Sequence, residues 1–510
     1  MPSSAVESSL RVHEMRVVWR DTFIIDEPPG KGGRQPDFLG WARERLIKLP
    51  PYAGDRFTRR SDQPDPLRII ERASRNVARI GYDSILRFQF KPFRMTGIQK
   101  MLARLHTSAD SLKQPDIELI AQEADERQQW TVITPMLVLH KAGVGMMAYL
   151  ATFHNGKPGL TPEESIELVR LGISAQLLEL PETWQQVIPD NHEEWSIPAM
   201  ISAREGQALA VAGLRDISQI VGAQLSRDPK ARQRGSALPL EASPSRPTGS
   251  ATVVLVSADP MPTRDFGAFV AEHGQTLRGI GAMDNYYKER APSVVAREMD
   301  DNLSSDSETA VYLLGGSELI LFNNELEWVV ASARDRMKLS SDDLVITYLY
   351  MHYEIMMEWT YLQDAILRAY IARLDKHVAL KTPQRAQMIA TLQGALADLI
   401  QYQENITPYA TRIEFLEKAR AHHKLEELGD RFERKQDMLL NYASEFHDYR
   451  EARATEFLNY LATILTGASL AGLIVTLAGI EPSQTALYLG IHLVCVALAL
   501  AILWVVQRFR

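Results

Sequence analysis

The chain has one cysteine in 510 residues, Cys495, which excludes an intrachain disulfide and a cysteine-based zinc site and fits a reducing compartment. It has no proline between Pro408 and Pro482, so 73 consecutive residues, 409–481, carry no helix breaker of that kind. It lacks charge over two long segments near the C-terminus, residues 457–480 and 486–506. Gly-x-Ser-x-Gly and His-Glu-x-x-His are absent, and Pro28-Pro29-Gly30-Lys31-Gly32-Gly33 has neither Walker spacing nor a convincing strand before it, so no enzyme is expected. A formal net charge of −8 argues against nucleic acid as the main partner. Twelve histidines are scattered, and the adjacent pair His422-His423, which a helix would point to different faces, reads as surface.

The two uncharged segments have 24 and 21 residues. At 1.5 Å per residue they make roughly 36 and 32 Å of helix, enough for each to cross a hydrocarbon core of about 30 Å. Five residues join them, Glu481-Pro482-Ser483-Gln484-Thr485, too few for a folded outer domain. The expectation is a transmembrane hairpin over residues 457–506, with the lipid bilayer as a partner. Arg450 and Arg453 precede it, Arg508 and Arg510 follow it, and the loop has no Lys or Arg, so both termini are expected on the cytoplasmic side of a plasma or inner membrane. Residues 1–20 are polar and do not resemble a signal peptide, which leaves insertion to the hairpin.

Upstream of the membrane the proline-free stretch predicts one long helix, with Thr407-Pro408 as its start and residues 408–456 as a stalk. Leu425, Leu428, Phe432, Lys435, Leu439, Tyr442, Phe446 and Tyr449 follow a 3-4 spacing, a heptad seam interrupted once by a lysine. Such a seam needs other helices, from the same chain or from further copies. Residues 340–406 predict a helical hairpin that supplies intrachain partners, with Met351, Met356 and Met357 as core filler.

Before that, strand-like runs at residues 14–25, 84–90, 130–140 and 145–153 mix with helical patterns at 162–180 and 201–225. Residues 227–250, rich in Pro, Ser, Gly and Arg, read as a flexible linker between a first α/β region, 1–226, and its second part, 251–335. The second part holds a buried strand at 251–257 and a strand hairpin over 311–322 turning at Gly315-Gly316-Ser317. The fold class is therefore α+β: a mixed α/β domain, a helical hairpin, a helical stalk and a two-helix membrane hairpin. Asp300, Asp301 and Asp306 lie in an acidic polar patch whose oxygens suit a divalent cation, or simply solvent.

This order of parts, with a long helix running straight into the first of two spans, resembles the CorA magnesium channel family over residues 251–510. The family's Gly-Met-Asn motif would fall on Gly479, Ile480 and Glu481, preceded by Ala478 where an aromatic residue is usual. The resemblance implies a passive metal-cation channel, a homopentamer, no resident cofactor, and a divalent cation such as magnesium as substrate or regulator. It does not carry magnesium selectivity over, because Glu481 replaces the family's asparagine. A ring of five glutamates would attract cations and raise one another's pKa. Equally, Glu481 can be the first interfacial residue of the loop. In the first span Thr455, Asn459, Thr463 and Thr466 form a narrow polar stripe that continues into Leu470, and these residues are candidates for lining a pore. A stripe facing the second span of the same chain would leave no pore. The alternative reading is a membrane-anchored, signal-responsive effector or sensor whose pore is unselective or lost.

Overall fold

The computed structural model describes residues 10–25, 38–55, 85–94, 132–141, 143–154, 159–171, 178–179, 183, 201–204, 207–212, 214–225, 238–239, 250–304, 307–315, 317–324, 353, 355–377, 410–477 and 485–508. Its strands are β1 Arg11–Ile24, β2 Tyr52–Asp55, β3 Ile85–Phe90, β4 Phe93–Arg94, β5 Val132–His140, β6 Val144–His154 and β7 Leu178–Glu179, followed by β8 Ile201–Arg204, β9 Gln207–Ala212, β10 Leu238–Pro239, β11 Ser250–Asp259, β12 Thr309–Leu314 and β13 Ser317–Phe322. The helices are α1 Phe38–Leu46, α2 Pro162–Leu171, α3 Leu214–Gln224, α4 Phe266–Ala282, α5 Pro292–Glu298, α6 Ile355–His377, α7 Ala410–His422, α8 Leu425–Leu477 and α9 Thr485–Arg508. The protein is thus mixed α/β. Two compact units divide it, Met1–Asp375 with Ala390–Phe432, and Lys376–Ile389 with Glu433–Arg510.

In the first unit β1 organises a ten-stranded sheet of order β12-β13-β11-β1-β6-β5-β3-β2, with β10 paired to β1 and β4 to β5. One face of β1 carries Met15, Val17, Trp19 and Phe23 and the other Arg16, Val18 and Arg20, all of them buried, which suits a strand with a layer on either side. Its neighbours β6 and β11 run antiparallel to it, while β13 runs parallel to β11. That parallel return is made through α4, and β12 and β13 form a hairpin in which Gly315 takes φ 55°, a left-handed value that glycine adopts without penalty. A smaller sheet has the order β7-β9-β8.

One face of the large sheet is apolar. Met15, Val17, Trp19, Tyr149, Val253, Leu255, Leu319 and Leu321 point into one core with Leu39 of α1, Ile166 and Val169 of α2, Ile217 and Val221 of α3, and Leu277 and Ile280 of α4. Polar tips buried there are satisfied: Trp19 Nε1 donates to Val169 O at 2.7 Å, and Tyr149 Oη to Leu214 O at 2.8 Å. Two helix starts are fixed locally. Thr161 and Glu164 exchange backbone and side-chain hydrogen bonds of 2.7 and 3.2 Å ahead of α2, a reciprocal cap, and Asp265 accepts from the Ala268 amide at 3.0 Å ahead of α4.

Several expectations are corrected. Residues 201–204 and 207–212 are the strands β8 and β9, not part of a helix over 201–225; Ile201 and Val211 are β-branched and favour a paired ladder, and the helix begins only at Leu214. Inside the expected linker, Leu238 and Pro239 pair with Ile24 and Phe23. The long stalk helix is also not one helix. It breaks after His422, with Lys424 at φ 54°, and resumes at Leu425 for 53 uninterrupted residues. The second arm expected in the helical hairpin, most of the linker, and residues 340–352 lie outside the described residues.

The seat of α4 on the sheet is tight enough to test. A Cβ on Gly281 would fall 2.7 Å from Leu314 Cδ1 and 2.9 Å from Leu319 Cβ. Gly281→Ala is expected to destabilise the first unit by about 1–3 kcal/mol through overpacking. Urea unfolding followed by tryptophan fluorescence should show a lowered midpoint, and an unchanged one would mean that the helix does not sit this close.

Candidate functional site

The face of the sheet opposite the apolar core carries charge, and strand register explains how the charges meet. Val18 on β1 pairs with Thr252 on β11, which pairs with Glu318 on β13, so one row across three strands brings Thr252 and Glu318 side by side, with Arg20 two residues further along β1. Thr252 Oγ1 accepts from Arg20 at 2.8 Å and donates to Glu318 Oε2 at 2.6 Å. Arg20 itself stands 3.5 Å from the same carboxylate. From the helical side, Tyr361 of α6 donates its hydroxyl to Glu318 Oε1 at 2.6 Å, and its ring lies 5.0 Å beneath the Arg20 guanidinium. His423, just after α7, completes the group: its Nε2 is 3.5 Å from Glu318 Oε1 and its ring centroid 5.1 Å from that of Tyr361.

Glu318 is 1% exposed, so solvent and substrates do not reach it. Burial alone pushes its carboxyl upward. The facing His423, the Arg20 charge and the Thr252 hydroxyl outweigh that and hold it at about 2 rather than the ordinary 4.5. The group turns its hydroxyls and imidazole onto the carboxylate inside the protein. What it does is clasp: β1, β11, β13, α6 and the end of α7 all meet on one carboxylate. A lesser clasp joins β3 to α6, where Arg87 Nη2 stands 2.6 Å from Glu358 Oε1.

The second unit holds the expected polar stripe. Among the described residues one helical segment, Phe457–Leu477, is long and apolar enough to cross a membrane, and the apolar stretch described within α9 is Leu489–Ala499. Gly467, Ala471 and Val475, four residues apart, are buried, and Gly467 lies against α9: a Cβ there would come 2.9 Å from Val496 Cα and 3.3 Å from Ala499 Cβ. Asn459, Thr466 and Leu470 are exposed, on a line about a third of a turn away at 100° per residue. Thr463, half-buried, lies between the two lines. The hydroxyls of Thr463 and Thr466 donate to the carbonyls of Asn459 and Ala462, each at 2.7 Å. Their protons are spent within the helix and only oxygen lone pairs remain to face outward.

The other sequence-derived candidates divide. Gly479, Ile480, Glu481 and Asp306 lie outside the described residues. Of the heptad seam, Leu425 and Phe432 are buried and Leu428 is half-buried, with the Phe432 ring 6.1 Å from that of Tyr370 on α6, an intrachain partner. Leu439, Tyr442, Phe446 and Tyr449 lie within α8, and their side chains are outside the description. In the acidic patch Asp300 and Asp301 are exposed, and Lys418 of α7 pairs with both Asp301 oxygens at 2.9 and 2.8 Å; among the described residues no group of three or more His, Cys, Asp or Glu is suited to a metal. His423 is corrected, from surface to buried. The sequence signal for its cluster was present: a glutamate inside the apolar run Ser317–Phe322 and arginines at 16 and 20 inside β1 ask for buried partners. No family model matches the chain, and neither a curated protein nor a solved structure matches it.

The Glu318 clasp predicts a pH dependence. Its folded-state value lies below the ordinary 4.5, so the stabilisation is fully present above that pH and is lost as pH falls toward about 2. Glu318→Gln should flatten the dependence of the unfolding midpoint over this window. It should also lower stability at neutral pH by about 3–5 kcal/mol, since the buried Arg20 then faces a neutral amide in place of the Glu318 carboxylate. Parallel melting curves for both proteins between pH 7 and 2.5 would contradict the assignment.

Proposed function

We propose that the chain is a CorA-like, oligomeric membrane channel that passes metal cations passively, with α8 as the element joining an α/β domain to the pore. On this reading Phe457–Leu477 and the helix α9 form a two-span hairpin, both termini are cytoplasmic, and the long lower part of α8 is the stalk. The observation that carries the reading is the placement of the polar stripe. A stripe packed on α9 would have served only to hold two helices together. Instead the small residues Gly467 and Ala471 take that role, and Asn459, Thr466 and Leu470 are left facing outward.

The chemistry of the stripe favours cations. Threonine hydroxyls that have given their protons to their own helix offer acceptors and no donors, so at Thr463 and Thr466 a cation is favoured over an anion, while Asn459 can serve either through its carbonyl or its amide hydrogens. Copies of the chain arranged around an axis would bring these oxygens into rings, and fivefold assembly is the arrangement the architecture of the family suggests. Glu481, next to the outer end of the first span, adds a negative charge per copy and is the position that would set selectivity. No resident cofactor enters the proposal; the divalent cation is substrate or regulator.

Reconstituted into liposomes, the full chain is expected to pass divalent cations saturably and chloride poorly. Thr466→Leu should cut cation flux at least about tenfold by drying the stripe, whereas Leu465→Ala, on the outer flank of the same helix, should leave flux unchanged. Glu481→Gln should alter the order of preference among magnesium, zinc, nickel and potassium. Intact oligomers with no flux under any ionic condition would overturn the proposal, as would a monomer in detergent. A leak that is unselective and appears only with a trigger would identify the anchored effector instead.

A further inference from the structure

We infer that the break between α7 and α8 is a two-state joint: with His423 held in the Glu318 cluster the two helices are separate, and with His423 released they join into one continuous helix. The local sequence does not ask for a break. Residues 410–432 contain no proline, and the ten residues from Ala419 to Leu428 are Ala, Arg, Ala, His, His, Lys, Leu, Glu, Glu and Leu, most of them good helix formers. Helices that stop in a left-handed residue usually do so on glycine, but here the position is Lys424 at φ 54°. A side chain with a Cβ in that conformation costs about 1–2 kcal/mol. The Lys424 amide also bonds to the carbonyl three residues back, Ala421 at 2.9 Å, in place of the fourth.

What holds the break is therefore tertiary. The His423 side chain is 1% exposed and stands between Glu318 and the Tyr361 ring. Ala419 before the break and Leu425 and Phe432 after it are buried as well. A continuous helix would turn the residues beyond 424 about their axis relative to those before 423, so both sets could not keep their seats, and His423 would have to leave the carboxylate. Local preference on one side and a few buried contacts on the other are each of the order of a few kcal/mol, which is the condition for two accessible states. Since α8 runs from Leu425 to Leu477 without interruption, a turn imposed at its start enters the same helix that carries the polar stripe. That consequence rests on the channel reading; the existence of the joint does not.

Ile413 and Arg431, exposed residues on either side of the break within the first unit, suit spin labels placed by Ile413→Cys and Arg431→Cys in a full-length Cys495→Ala background. Eighteen residues of unbroken helix span about 27 Å. His423→Ala is expected to shift the interspin distance, measured in nanodiscs, from a shorter native value to about that length. Lys424→Gly, which relieves the left-handed conformation, should keep the native distance and suppress the shift when combined with His423→Ala. Should His423→Ala not fold, His423→Asn removes the ring with less disturbance and the same outcomes apply. A folded His423 variant with the native distance overturns the joint, and so does a native chain already at about 27 Å. The distance is read without any flux measurement, so its result stands apart from whether ions cross.

Discussion

A single buried carboxylate sets the terms for the first unit. Glu318 sits where a β-sheet face would ordinarily be apolar, and a lone charge there would be prohibitive. It is tolerated because four groups reach it from different parts of the chain: Arg20 and Thr252 from the sheet, Tyr361 from α6, and His423 from the end of α7. The demand for partners is what converts a surface on which helices merely lie into one on which they have a unique seat. Apolar contacts alone would let α6 slide by a turn; a carboxylate that must meet both a tyrosine hydroxyl and an imidazole does not allow it.

The same demand explains why the sheet is legible in the sequence and the helical break is not. Strands β1, β3, β5, β6, β11, β12 and β13 announce themselves through runs of β-branched and aromatic residues, and Gly143 and Gly315 mark hairpin turns that need a left-handed residue. Those are local signals. The short strands β8 and β9 were misread because a periodic apolar pattern of a dozen residues fits a helix as readily as a tight ladder. His423 was misread for a deeper reason. Periodicity describes one helix in isolation, and its side chain is buried by a contact with a strand residue more than a hundred positions earlier. Of the candidate site, the stripe at Asn459, Thr463 and Thr466 was visible in the sequence, but which way it faced was not.

On the proposed membrane reading, that direction follows from packing in an environment where apolar surface gives no preference. Between two helices in lipid, close approach matters more than hydrophobicity, and close approach needs small residues. Gly467 supplies one against α9, with Ala471 buried a turn further on, and the polar line a third of a turn away is left exposed. The hydroxyls of Thr463 and Thr466 do not decide the matter alone, because a hydroxyl bonded to its own helix can face lipid as well as water. Asn459 differs. Its amide has two donors and an acceptor with two lone pairs, more than its own helix can satisfy, and so it has to meet water or another polar group.

On the proposed reading the length of the stripe then locates the barrier. From Phe457 to Thr466 is about 14 Å of helix, nearly half of a hydrocarbon core of about 30 Å. Beyond Thr466 the same line carries Leu470, 52% exposed, then Leu473 and Leu477, 60% and 80% exposed. A route lined this way is wet from one side to its middle and apolar over the rest. Oxygen acceptors can solvate a cation as far as the middle, but a ring of leucines closes by expelling water unless it is widened. Control of passage would therefore rest with the leucines, and choice among ions with whatever polar groups stand beyond them. Rotation of α8 about its axis is the motion that most directly swaps one line of side chains for the next, and the start of α8, at the His423 junction, is where such a rotation can be imposed.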